Sequence, residues 1–254
     1  ATPTSGTLSL DANGSNAVSV TARDAAGNTS TAGTQSLTID TTAPSAPTVT
    51  TELSNSTTPT LTGTAEAGST VTVTVGGATY TTTATNGGAW SLNLATATPT
   101  AGSLNLNANG ANPVTATATD AAGNTSSAGT QSLTVDTTLP DAPAVTSAAL
   151  TNSTTPTLTG TAETGSTVTV TIGGATYVTT ATNGAWTLNL ATATPTAGSL
   201  NLNANGANPV TATATDAAGN VSAPGTQALT IDTTAPSAPS VTSAALTNST
   251  TPTL

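Results

Sequence analysis

Residues 70–83 read Thr-Val-Thr-Val-Thr-Val-Gly-Gly-Ala-Thr-Tyr-Thr-Thr-Thr. Val71, Val73 and Val75 alternate with Thr70, Thr72 and Thr74, so a pleated strand puts the valines on one face and the threonines on the other. Gly76-Gly77 supplies a tight reversal, and residues 78–84 return as the second arm of a hairpin. The same period of two continues on both sides. Leu61, Gly63 and Ala65 share a face of the stretch from Thr60 to Ala65. Trp90, Leu92 and Leu94 alternate with Ser91 and Asn93; Val114, Ala116 and Ala118 alternate with Thr115, Thr117 and Thr119; Leu133 and Val135 alternate with Ser132 and Thr134. A first strand is expected between Pro47 and Thr51, and Asn86-Gly87 predicts a type I′ turn. About seven short antiparallel strands, each with one apolar face, imply an all-β, two-sheet sandwich.

This pattern recurs along the chain. Asp40-Thr41-Thr42-Ala43-Pro44 returns at Asp136 and again at Asp232, each 96 residues on, with Leu139 in place of the alanine at the second site. Asp24, Asp120 and Asp216 open three copies of Asp-Ala-Ala-Gly-Asn at the same spacing, and Trp90 and Trp186 keep it. Tyr80 and Tyr177 are 97 apart, and Gly87-Gly88 against the lone Gly184 restores the register. A period of this size suits an independently folding sandwich of about 100 residues, not a solenoid unit. The expected organisation is the end of a repeat at 1–40, complete repeats at 41–136 and 137–232, and the beginning of another at 233–254. A segment of a longer, elongated array is expected.

Composition narrows the function. Among 254 residues there are one basic residue, Arg23, and eleven acidic ones, for a net charge of −10. Nothing is available to neutralise nucleic-acid phosphates, and no basic amphipathic stretch faces anionic lipid. No apolar run is long enough to insert across a bilayer. The chain has no His and no Cys, which removes hydrolytic triads and the usual zinc sites. A two-carboxylate glycosidase needs a deep cleft and aromatic platforms, whereas the chain has two Trp and two Tyr in all. The reading is a structural protein, not an enzyme. Trp90 and Trp186, each followed by alternating Leu, are expected in the core. The Thr-x-Thr runs suit a solvated sheet face better than an ice-binding one.

The acidic residues are few, and three for each complete repeat are expected at one end of the sandwich. In an immunoglobulin-type sandwich the start of the first strand, the loop between the second and third strands and the loop between the last two lie at one pole. Asp40, Glu66 and Asp120 hold those positions in the first complete repeat, and Asp136, Glu163 and Asp216 hold them in the second. Carboxylates that converge without a basic neighbour repel one another unless a cation sits among them. An all-oxygen set without His or Cys selects a hard cation, and the oxygens available suit Ca²⁺ better than Mg²⁺. Asn124 and Asn220 could add amide oxygens, and Asp141, where the first repeat has Ser45, is a further candidate. The alternative is that these residues are solvated caps closing Asx turns. With Pro44 and Pro47 stiffening the linker, a cation there would lock the angle between neighbouring repeats.

The ordered set Pro-Thr-Leu-Thr-Gly-Thr-Ala-Glu (59–66), Gly-Ala-Trp (88–90, 184–186), Ala-Thr-Asp-Ala-Ala-Gly-Asn (118–124) and Asp-Thr-Thr-Ala-Pro (40–44) resembles the bacterial immunoglobulin-like repeats of giant surface adhesins and biofilm-associated proteins. The resemblance covers the whole chain. It implies export by a gram-negative bacterium, retention at the cell surface, and repeats that extend a distal binding domain. It also implies Ca²⁺ at the repeat junctions, carried by motif onto Asp40, Glu66, Asp120, Asp136, Glu163 and Asp216. The partners expected are neighbouring repeats of the same chain. Two further roles stay open: lateral self-association of Thr-rich strands into a filament or matrix, and a ligand-binding module using the pole loops.

Overall fold

A computed structural model describes residues 4–242, 248, 250 and 251. The beginning of a repeat expected at 233–254 therefore lies partly outside the described residues. The chain divides into two compact units, 1–138 and 139–254. Among the described residues no helix is long and apolar enough to cross a membrane.

The first unit opens with an antiparallel hairpin, β1 (Gly14–Val20) and β2 (Gly33–Ile39), with Gly14 opposite Ile39. Val18, Val20 and Leu37 stay exposed, since the hairpin carries one side of a sandwich without the other. The complete sandwich follows as β3 (Thr48–Val49), β4 (Leu53–Ser54), β5 (Thr60–Thr64), β6 (Thr70–Val75), β7 (Ala78–Thr83), β8 (Ala89–Asn93), β9 (Ala101–Gly102), β10 (Asn109–Thr119) and β11 (Gly129–Asp136). One sheet runs β3-β5-β8 and the other β4-β11-β10-β6-β7-β9. The second unit repeats this with β12 (Ala144–Val145), β13 (Leu150–Thr151), β14 (Thr157–Thr161), β15 (Thr167–Ile172), β16 (Ala175–Thr180), β17 (Ala185–Asn189), β18 (Ala197–Gly198), β19 (Asn205–Thr215) and β20 (Gly225–Asp232). Its sheets are β12-β14-β17 and β13-β20-β19-β15-β16-β18.

The all-β, tandem immunoglobulin-like architecture is as the alternation implies, with two refinements. The first strand is split. β3 pairs antiparallel with β5, then residues 50–52 cross between the sheets and β4 pairs parallel with β11. The amide of Thr134 donates to the carbonyl of Glu52 at 2.8 Å, which continues that parallel ladder. A short β9, not anticipated, adds to the edge of β7.

The type I′ turn expected at Asn86-Gly87 needs correction. Positive φ occurs there only at Gly88 (81°), and Thr85 N donates to Ala89 O at 2.8 Å, so the extra glycine makes a three-residue turn with a bulge. The second unit, one glycine shorter, has φ of 52° at Asn183 and 79° at Gly184, and there the type I′ turn forms.

The core contains the residues the alternation selects: Leu61, Val71, Val73, Val75, Leu92, Val114, Ala116, Leu133 and Val135, with Trp90 3% exposed at its centre. Gly63 is the register partner of Trp90. A Cβ at Gly63 would stand 2.6 Å from Trp90 Cζ2 and overlap the Thr48 carbonyl oxygen, so the ring fits only because the opposite residue has no side chain. Gly160 stands in the same relation to Trp186 and the Ala144 carbonyl. Gly63→Ala should therefore destabilise the first sandwich by about 2 kcal/mol or more. Urea unfolding would show this, and an unchanged midpoint would contradict the packing.

Candidate functional site

The register of β6 and β10 puts Thr70 opposite Thr119, so the loops that carry Glu66 and Asp120 leave the first sandwich at one end. We call this its leading pole. The loop from Asp120 to Asn124 is closed by its own carboxylate. Asp120 Oδ1 accepts from the amides of Ala122 (2.9 Å) and Asn124 (2.8 Å), and Oδ2 accepts from Asn124 Nδ2 at 2.8 Å. The Asn124 side-chain bond is the main cause that holds the Asp120 carboxyl below the ordinary aspartate value; desolvation opposes it, and backbone donors from Asn124, Ala122 and Gly123 add to the lowering. Asp24 in the opening hairpin is lowered likewise, first by the Asn28 side chain. For Asp216, desolvation is the largest influence and raises the value, but the Asn220 side-chain and backbone bonds outweigh it and the net shift is downward.

Asn124 also reaches the linker. Its Nδ2 donates to the main-chain carbonyl of Asp40 at 3.0 Å, tying the loop between the last two strands to the residue that ends the preceding repeat. The Asp40 carboxylate closes an Asx turn by accepting from Thr42 N at 2.9 Å, and Asp136 does the same with Thr138 N at 3.0 Å. Glu66 is placed by its backbone: its carbonyl accepts from Ser69 N (3.1 Å) and Ser69 Oγ (2.7 Å), over Gly68 at φ 79°. Glu163 and Ser166 repeat these bonds at 3.1 and 2.7 Å. Thr167 faces Thr215, so Glu163 and Asp216 leave the second unit at one end as well. Asp141 and Glu163 line a shallow cleft of about 310 Å³ with Ala142, Thr161 and Ala162.

The loops of Glu66 and Asp120 thus share a pole, and Asp40 joins them through its carbonyl and Asn124. The carboxylates themselves do not gather: among the described residues no three Asp or Glu side chains stand close enough to hold one ion. In kind, the donors fit a hard cation, being all oxygen in a repeat without a basic residue. In arrangement, Asp120 is engaged by three hydrogen bonds, with one of about four lone-pair directions left over. Sequence reasoning passed over the asparagines of the opposite pole, Asn13, Asn109 and Asn205. Their signal was a third 96-residue ladder in the Ala-Asn-Gly triplets at 12–14, 108–110 and 204–206.

The bacterial Ig-like domain family matches the chain twice in tandem, over residues 45–137 and 141–233. The chain belongs to this family. No curated protein matches it. Among solved structures, these bacterial Ig-like repeats are similar to a structure described as a Ca²⁺-stabilised adhesin that helps an Antarctic bacterium reach out and bind ice. That match has 30% identity over 85% of this chain and 56% of the other, with a TM-score of 0.34. A tetra-tandem repeat in the extending region of a large adhesion protein is 25% identical over 87% of this chain and 57% of its own, with a TM-score of 0.33. A structure concerning host cell surface retention of a 1.5-MDa bacterial ice-binding adhesin is 27% identical over 87% and 74%, with a TM-score of 0.32. The chain spans little more than half the length of the first two, and at these TM-scores the likenesses carry no weight for how repeats are arranged.

The lowered Asp120 value sets a pH dependence. A carboxyl whose folded value lies below its unfolded one contributes stability above the unfolded value and loses it as pH falls through the folded one, here below about pH 4. A carbon-detected titration should place the Asp120 midpoint below that of an ordinary aspartate, and Asn124→Ala should move it upward. An ordinary midpoint in the unsubstituted protein would contradict the closed loop.

Proposed function

We propose that the chain is a length of the extender, or stalk, of a large bacterial cell-surface adhesin, and that it holds a distal adhesive domain away from the cell in adhesion and biofilm formation. The observation that carries this reading is repetition without specialisation. Two successive units of one family reproduce the same sheet orders, with nearly the same pole loops and linker. Repetition of that kind adds length and spaces whatever lies beyond it. A dedicated ligand reader would vary its pole loops, and these are nearly identical. The composition supports a surface spacer: 5% charged residues, no thiols, and the residue types of hydrolytic chemistry largely missing.

We propose a structural Ca²⁺ at the leading pole, which Asp40, Glu66 and Asp120 would hold only by drawing together from their separate positions, with Asp136, Glu163 and Asp216 as the corresponding residues of the next repeat. Support comes from the donor chemistry and from the placement of the Glu66 and Asp120 loops at one end, with Asn124 bonded to the Asp40 carbonyl. The ion would neutralise the carboxylates and stiffen the linker, and by binding only the folded state it would stabilise each repeat.

Lateral association through exposed strand edges is the second reading. Against it, the outer edge of β8 is blunted, since Thr82 Oγ1 donates to the Ser91 carbonyl at 3.0 Å; Thr179 treats Thr187 alike at 3.2 Å. Small-angle scattering separates the possibilities. The account expects a monomer whose maximum dimension falls when millimolar Ca²⁺ is replaced by EDTA, with Asp120→Ala reproducing part of the loss. Superimposable profiles would remove calcium from the account, and a mass that grows with concentration would favour the filament.

A further inference from the structure

The trailing pole of each repeat, where its last strand ends, carries a second device, in which the side-chain bonds to the body of the repeat are made by a neutral asparagine. Asn109 Oδ1 accepts from Thr137 N (2.8 Å), Thr137 Oγ1 (3.1 Å) and Thr138 Oγ1 (3.1 Å). Asn13 holds Thr41 N, Thr41 Oγ1 and Thr42 Oγ1 at 2.8, 3.0 and 3.2 Å. Asn205 holds Thr233 N, Thr233 Oγ1 and Thr234 Oγ1 at 2.9, 3.0 and 3.2 Å. Three copies of one arrangement, each spanning 28 to 29 residues of chain, are built from the same Asn and the same Thr-Thr pair.

The support behind Asn109 is itself buried. Asn112, 4% exposed, accepts from Asn107 N at 2.7 Å and donates Nδ2 to the carbonyls of Asn107 and Gly110, both at 3.0 Å. These bonds shape the turn that delivers Asn109 to the start of β10, opposite Asp136 at the end of β11. A Cβ at Gly110 would displace the Asn107 side-chain amide. Asn208 repeats the support in the second unit with Asn203 and Gly206.

We infer that the Asp-Thr-Thr segment is a clasp that seals each outgoing linker onto the repeat it leaves, through neutral hydrogen bonds that need no cation. The clasp ends at the second threonine, leaving Ala43 and Leu139 exposed before the buried Pro44 and Pro140, and the division between the compact units falls at that point, after Thr138. At Asp40 the linker is held from both sides: Asn13 binds Thr41 and Thr42, and Asn124 of the following sandwich binds the Asp40 carbonyl. Tension applied to the linker reaches β10 through Asn109 as well as β11 through the main chain. The clasp stands whether or not Ca²⁺ binds at the leading pole.

The test is amide hydrogen exchange by NMR in excess EDTA, read at Thr41, Thr137 and Thr233. All three amides should be protected relative to a free peptide. In Asn109→Ala, Thr137 should lose protection by roughly fivefold or more, about the worth of one net hydrogen bond, with the nearby Ala108 carbonyl, 3.2 Å from the same amide, retaining the remainder. Thr41 and Thr233 should be unchanged. Asn109→Asp keeps the accepting oxygen and should keep the protection. Free-peptide exchange in the unsubstituted protein, an unaltered Thr137 in Asn109→Ala, or equal loss in Asn109→Asp would each overturn the clasp. Should Asn109→Ala unfold its repeat, the unsubstituted protein and Asn109→Asp decide.

Discussion

Each sandwich depends on a single indole packed onto a single glycine. With no Phe or Met in the chain and one Trp per complete repeat, Trp90 and Trp186 are the largest side chains filling the space between sheets otherwise lined by Val, Leu, Ile and Ala and one buried tyrosine each, Tyr80 and Tyr177. Gly63 and Gly160 admit them. The fit has a cost: both indole Nε1 atoms are buried without a hydrogen-bond partner, which opposes folding by about 1–3 kcal/mol each. The net stability of a core this lean is accordingly modest, and the polar structure at the two poles matters more than it would in a larger domain.

The poles divide the work. At the leading end an aspartate closes its own loop and an asparagine reaches back to the preceding linker. At the trailing end a buried asparagine shapes a turn, and that turn presents a second asparagine to the outgoing threonines. Both poles use short polar side chains bonded to nearby main chain, a chemistry that Asn, Asp and Thr perform well and that needs few charged groups. The unusual composition, rich in these residues and poor in Lys and Arg, follows from building junctions this way.

Much of the fold was legible because strand faces alternate. Val71, Val73, Val75, Trp90, Leu92, Val114 and Leu133 are buried where a period of two places them, and the residues between them, such as Thr74, Ala89 and Ser91, face out. The split first strand was not legible, since two-residue elements such as β3 and β4 leave no period to read. The Asn86-Gly87 turn was misread because a second glycine changed the loop length, and length selects the turn. At the site, the shared pole of Glu66 and Asp120 followed from topology, while the engagement of Asp120 by Asn124 depends on side-chain geometry that spacing does not encode. Asn109 has the same 96-residue recurrence but no charge, and only the folded turn shows its side-chain oxygen reaching Thr137 and Thr138.

The central claim is that the chain is a series of separately folded repeats that each resist tension. Pulling single molecules by their ends tests this most directly. The account predicts two discrete unfolding events for the complete repeats. Each should release roughly 30 nm, the extended length of about 96 residues less their folded span. One event releasing both repeats together, or a smooth extension without discrete steps, would contradict it.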